Sequence, residues 1–93
     1  CVMHFAAYIE VGESMEAPLK YYANNTGASM RLLHSMLASG VERFIFSSTA
    51  AVYGEPAAVP IPEEVAKRPI NVYGHSKLQT EEQCAWLSRL TGF

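Results

Sequence analysis

The sequence has little cysteine, no block of like charge and no long apolar run, and each shortage argues against a class of protein. Its two cysteines, Cys1 and Cys84, lie far apart with no Cys-x-x-Cys or Cys-His spacing. That speaks against a disulfide framework or a zinc site and makes a reducing, cytoplasmic setting the expectation. His4, His34 and His75 share no metal-ligand spacing either, so no metal is expected. There is no polybasic stretch, and the formal net charge is -2 with a pI near 5.9. Neither nucleic acid nor an anionic membrane surface is therefore an expected partner. No uninterrupted apolar run is long enough to span a bilayer, and a signal peptide's charged n-region and cleavage site are missing. The first residue is Cys1, not Met, and it opens directly into an apolar run, so the chain reads as the middle of something larger.

What is there is a chain of 93 residues, 49% of them apolar. That suffices for one small globular unit, marginal without help, and not for two. Val2 to Ala6 has the short apolar pattern of a strand buried on both faces. Ser14 is placed to cap a short turn before Pro18, and Pro18 suits the first turn of a helix. From Leu19 to about Ala38 the steps are helical, with Met30, Leu33 and Leu37 in phase and Leu32 and Met36 beside them. Gly40 supplies the stop. Arg43 to Ser47 is a second strand of aromatic and β-branched residues. Residues 54–71 hold Pro56, Pro60, Pro62 and Pro69 and read as a long loop, a feature that in compact domains is often functional. A last helix is predicted from about Val72 to Leu90, with Leu78, Cys84, Leu87 and Leu90 facing inward and Gly92 ending it. Trp86 and the methionines are assigned to packing, Glu63-Glu64 to a solvated loop end and Glu81-Glu82 to a solvated helix face. Strands alternating with helices imply a parallel sheet. Two strands alone cannot make a stable open one. The fold class is thus α/β, a slice of a larger doubly wound parallel sheet.

Three segments carry groups capable of chemistry. Tyr73-Gly74-His75-Ser76-Lys77 places a phenol and an ammonium four residues apart, one helical turn, so both emerge on one face. A phenol is a poor base at neutral pH, but a neighbouring cation favours the phenolate, and the pair can act as a general base. By itself the spacing equally describes a surface tyrosine and an unrelated lysine. His75 falls between them in sequence but points elsewhere on the helix, toward solvent. Ser47-Ser48-Thr49 ends the second strand, where open α/β sheets bind ligands; the alternative is a polar strand end that satisfies loop backbone. Asn24-Asn25-Thr26-Gly27 interrupts an apolar-periodic helix with poor helix formers. Such a broken local rule marks either a functional site or a kink.

In their order, these blocks resemble the extended short-chain dehydrogenase/reductase family, and most closely the UDP-glucose 4-epimerases within it. The blocks are His4-Phe5-Ala6-Ala7, Val11-Gly12-Glu13-Ser14, Asn24-Asn25-Thr26, Phe46 through Gly54, and Tyr73 through Lys77. The resemblance implies an NAD(P)-binding Rossmann-type fold, of which residues 1–93 are the middle strands and helices. It implies Tyr73 as catalytic base, Lys77 as the lysine that holds the nicotinamide ribose and favours the phenolate, and Thr49 as the hydroxyl that bonds the sugar. Phe5, Ala6, Ala7, Asn25, Ser47 and Ser48 match cofactor-proximal positions, with the doubled Asn24-Asn25 leaving that register open. The implied cofactor is NAD. The implied substrates are UDP-glucose and UDP-galactose, interconverted through a transient 4-keto sugar. A homodimer through the two long helices is also implied.

Departures from the pattern sharpen the expectation. Ile9 stands where many epimerases have a lysine, which bears on one cofactor-phosphate contact, and Val72 replaces a proline often found before the tyrosine. Ala50-Ala51 stands where related dehydratases place Asp-Glu, which speaks against water elimination and leaves epimerases and some reductases open. The glycine-rich turn that cradles a dinucleotide pyrophosphate and a substrate domain are both missing. The 93 residues alone are therefore expected to be inactive, and a non-catalytic helix-pair association module remains the competing reading.

Overall fold

The computed structural model describes residues 1–93. Its first strand, β1 (Val2–His4), pairs in parallel with β2 (Phe44–Phe46), in the register Val2↔Phe44, Met3↔Ile45 and His4↔Phe46. Parallel neighbours need a long crossover, and the intervening chain supplies it as helices. These are α1 (Val11–Glu16), α2 (Pro18–Tyr21), a π-helical segment (Tyr22–Gly27) and α3 (Ala28–Ala38). After β2 comes a 3-10 turn at Ala50–Tyr53, then a stretch without regular elements, then α4 (Val72–Thr91). The α/β alternation is the one expected.

The local causes are legible. Pro18 occupies the first turn of α2, where its missing N–H costs nothing. Gly40 and Gly92 follow the ends of α3 and α4 with φ of 76° each, the left-handed conformation that glycine adopts freely. The Asn-Asn-Thr-Gly stretch does not end the helix; it widens it by one residue into the π-helical segment, a distortion that recurs at functional sites.

Four expectations are corrected. The strands are covered on one face only. Val2, His4, Phe44 and Phe46 are half-buried, while Met3 and Ile45, which alternate to the other face, are exposed because no element of residues 1–93 lies over them. Leu90 and Trp86 are exposed, not packed inward. The buried face of α4 is set by Gly74, Ser76, Lys77 and Thr80, leaving Leu78, Cys84 and Leu87 half-buried, and Trp86 instead stacks under the Arg89 guanidinium at 5.2 Å. Glu81 is not on a solvated face: its carboxylate accepts from Ser48 Oγ and pairs with Lys67, tying the long loop and the end of β2 to α4. Ser14 caps no turn before Pro18; it lies within α1, fully buried.

The interior is small and largely polar. Tyr21, Leu33, Met36 and Val52 are its buried apolar residues, beside Ser14, Asn25, Thr26, Ser29, Ser76, Lys77 and Thr80. Most of the polar set lines the seam between the π-helical segment and α4. Burying such groups is tolerable only when they are hydrogen-bonded. Thr26 Oγ1 donates to the Ser76 carbonyl at 3.0 Å, Ser29 Oγ donates to the Asn25 carbonyl at 2.6 Å, and Thr80 Oγ1 lies 3.3 Å from the Ser76 carbonyl. This seam fixes the depth at which α4 sits against the rest of the chain.

Candidate active site

The end of β2 and the first turns of α4 come together at a backbone contact. A Cβ added to Gly74 would lie 2.7 Å from the Ala51 carbonyl oxygen, closer than real contacts allow. Only glycine lets the 3-10 turn after Thr49 touch the helix turn that carries Tyr73. Thr49 begins that turn: its Oγ1 accepts the Ala51 N–H at 3.1 Å. One lone pair of the hydroxyl is thereby engaged, and its proton remains available to an oxygen outside the chain.

Lys77 makes the second link. Its side chain is buried, its ammonium donates to the Ser47 carbonyl at 3.0 Å, and it sits 4.8 Å from the centre of the Phe46 ring. Burial holds its pKa below the ordinary lysine value. His4 lies within range of this charge. Its Nε2 meets Ser29 Oγ at 2.9 Å, and burial first, then the Lys77 charge, keep its pKa below the ordinary 6.5. Tyr73 is half-buried one turn before Lys77, and its hydroxyl makes no hydrogen bond within the chain. No hydrogen bond of its own holds the phenol.

The doubled asparagine divides into two roles. Asn25 is buried. Its Oδ1 accepts the Tyr8 N–H at 2.9 Å, and its Nδ2 donates to the Tyr8 carbonyl at 3.0 Å and to Ser76 Oγ at 3.3 Å. A side-chain amide thus pairs with the Tyr8 backbone as a strand would, directly after Phe5-Ala6-Ala7. With both donors in use, Asn25 reaches a ligand only through the loop it clamps. Asn24 is half-buried; its Nδ2 donates to Asn25 Oδ1 at 3.1 Å and its own Oδ1 has no partner. The sequence pattern points to Asn25; on geometry Asn24 has the free acceptor.

The remaining predicted residues cluster as follows. Phe5 and Ala6 are exposed, and Ala7 is half-buried, just past the carboxyl end of β1. Ser47 and Ser48 end β2 beside them, with Ser47 N–H bonded to the His4 carbonyl at 3.0 Å. Ser48 Oγ donates to the Glu81 carboxylate. His75 is exposed, as expected, though its Nδ1 meets the Tyr22 hydroxyl at 2.7 Å. The largest concavity, about 790 Å³, lies along β2 between Phe44, Phe46 and Cys84, and touches neither Thr49 nor Tyr73. Both cysteines are free, and no three His, Cys, Asp or Glu side chains are grouped to hold a metal. No helix is long and apolar enough to cross a membrane.

Comparison with known proteins places this geometry. The profile of the NAD dependent epimerase/dehydratase family matches residues 1–93. The UDP-glucose 4-epimerase of Streptococcus mutans serotype c is 52% identical over 91 residues, covering 98% of this chain and 27% of its own length. Among solved structures, the UDP-Glc/GlcNAc 4-epimerase of Campylobacter jejuni aligns with a TM-score of 0.94 at 51% identity, over 97% of this chain and 27% of that one. UDP-glucose 4-epimerase from Brucella ovis, solved in complex with NAD, gives 0.95 at 44% identity, over 98% and 28%. The chain thus spans about a quarter of the length of the relatives it matches.

Proposed function

The chain belongs to the NAD dependent epimerase/dehydratase family, and on that premise we propose that the full-length protein carrying it is a UDP-glucose 4-epimerase, inverting C4 of a UDP-hexose through a transient 4-keto sugar. Residues 1–93 are the middle of its NAD-binding domain. The observation that carries the reading is the Lys77–Ser47 bond. It joins the Tyr73-Lys77 turn of α4 to the Ser47-Ser48-Thr49 strand end, at the edge of the sheet where α/β proteins bind ligands.

The residues present suit NAD. The Lys77 ammonium has three N–H groups and gives one to Ser47, leaving two for a ribose diol. Phe5 and Ala6 form an exposed ledge past β1, held in place by the Asn25 clamp on Tyr8. Asn24 offers a free amide oxygen beside that clamp. NAD held there by Lys77 and the ledge after β1 would supply the acceptor and donor of the C4 hydride. Tyr73, as phenolate, removes the proton of the 4-hydroxyl and restores it on return. Thr49 donates its hydroxyl proton to the sugar oxygen and holds that oxygen toward Tyr73. Lys77 places positive charge one helical turn from the phenol. Ala50-Ala51 offer no acid or base for elimination, so the keto sugar keeps its 6-hydroxyl.

A groove of about 430 Å³ between α3 and α4, lined by Met30, Leu33, Leu37 and Leu87, supports association of two copies through these helices. The cytoplasm is the proposed location.

The test is to assay a full-length protein carrying this segment, native or grafted in place of the matched 91 residues of the Streptococcus mutans enzyme. UDP-galactose should be converted to UDP-glucose without added NAD, and Tyr73→Phe should abolish turnover. A 4-keto-6-deoxy product, or unchanged turnover in the Tyr73→Phe protein, would overturn the reading.

A further inference from the structure

The first N–H groups of any helix lack intrahelical partners. In α4 two of them are held by side chains. Asn71 Oδ1, at the N-cap, accepts the Gly74 N–H at 2.7 Å. The Tyr73 N–H is accepted at 3.0 Å by Ser14 Oγ, which comes from α1, 59 residues away in the sequence. Ser14 has no solvent exposure, and its own proton goes to the Val11 carbonyl at 2.6 Å. That bond fixes the hydroxyl's orientation, turning a lone pair toward Tyr73 and nowhere else.

From this we infer that Ser14 is a positioning residue for the Tyr73 phenol. The inference rests on the reading of Tyr73 as the base. Tyr73 is the second residue of α4, in a terminal turn, where helices fray. Its hydroxyl has no partner in the chain, so no hydrogen bond of its own steadies the phenol and the backbone position of Tyr73 bears directly on where it points. Lys77, one turn further in, is independently pinned to Ser47. Loss of the Ser14 acceptor frees the first turn without releasing Lys77, and so changes the spacing of phenol and ammonium while leaving the cofactor lysine in place. A residue that served packing alone would act on stability or cofactor retention, not on the rate of the bound complex.

The full-length protein carrying this segment is prepared as parent, Ser14→Ala, Ser14→Thr and Tyr73→Phe, and kcat, KM for UDP-galactose, bound NAD and thermal midpoint are measured. Ser14→Ala should lower kcat about tenfold, about 1.4 kcal/mol of barrier. Its KM should stay within about twofold, with NAD content at the parental level. Ser14→Thr, which keeps the acceptor, should recover most of the rate. Parental kcat in Ser14→Ala beside a dead Tyr73→Phe overturns the inference and leaves the site reading standing. An active Tyr73→Phe removes both. Loss of folding or of NAD in Ser14→Ala, or a Ser14→Thr protein as slow as Ser14→Ala, also overturns it, since the role is then one of bulk and not of the acceptor.

Discussion

Asn25 is the most informative position to perturb, because one buried amide makes three hydrogen bonds beyond its own segment, from the Tyr8 N–H, to the Tyr8 carbonyl and to Ser76 Oγ, and accepts a fourth from Asn24 Nδ2. Each intramolecular bond contributes about 1 kcal/mol net, so the three bonds to Tyr8 and Ser76 alone put the cost of Asn25→Ala at about 3 kcal/mol. Asn25→Asp is isosteric and separates donor from acceptor. It keeps the acceptor for Tyr8 N–H but turns a carboxylate oxygen toward the Tyr8 carbonyl, in a site with almost no solvent. Burial and that carbonyl both disfavour the charged form, so the introduced carboxyl has a folded pKa raised above its unfolded value of about 3.9. The folded state then binds more protons between those two pKa values, and stability falls as pH rises through the window. The penalty is complete above the folded pKa and absent below the unfolded one, where the neutral acid can donate to the Tyr8 carbonyl. Urea unfolding of the full-length protein at constant slope, from about pH 4 to about pH 7, reads this out. Asn25→Asp should be at least as unstable as Asn25→Ala at the upper end and should recover about 1 kcal/mol or more relative to it at the lower end. An Asn25→Ala cost under about 0.5 kcal/mol, or a gap between the two variants that ignores pH, would refute the clamp.

Gly54 has φ of 64°, and an added Cβ would lie 2.0 Å from the Arg68 carbonyl oxygen. Gly54→Ala should therefore destabilise by about 2 kcal/mol or more and should speed proteolysis within residues 54–71, measured by limited digestion. His4 has a folded pKa below 6.5, from burial and then the Lys77 charge. The unfolded state binds more protons in that range, so the His4 contribution rises with pH and is lost as pH falls through 6.5 toward the folded value. His4→Gln should flatten the stability profile between about pH 5 and about pH 7.5; a slope equal to the parent's would contradict this.

Much of the fold follows from local chemistry and is readable along the chain. Pro18 opens a helix and Gly40 and Gly92 end two by local backbone preference, while the apolar runs at Val2 and Phe44 mark strands whose ladder forms only when the two pair across the crossover. Of the candidate site, Thr49, Tyr73 and Lys77 are visible as a motif in the right order. The misreadings share one cause. Sequence neighbours suggest the wrong surroundings for Glu81 and Ser14, because each is bonded to a residue at least 33 positions away. Hydrophobicity suggests the wrong side of α4 for Trp86 and Leu90, because the buried face of that helix is polar where it meets Asn25 and Thr26 across the seam.

The sequence by itself determined the alternation of strand and helix, the places where helices start and stop, and the spacing of Tyr73 and Lys77 on one helical turn, since these depend on backbone preferences within a few residues. Only the tertiary structure decided which asparagine clamps the Tyr8 loop, that Lys77 is anchored to Ser47, that Gly74 admits Ala51, and that Ser14 holds the Tyr73 N–H. Those contacts exist because hydrogen-bonding groups removed from water must find partners, and the partners available are set by which elements pack together.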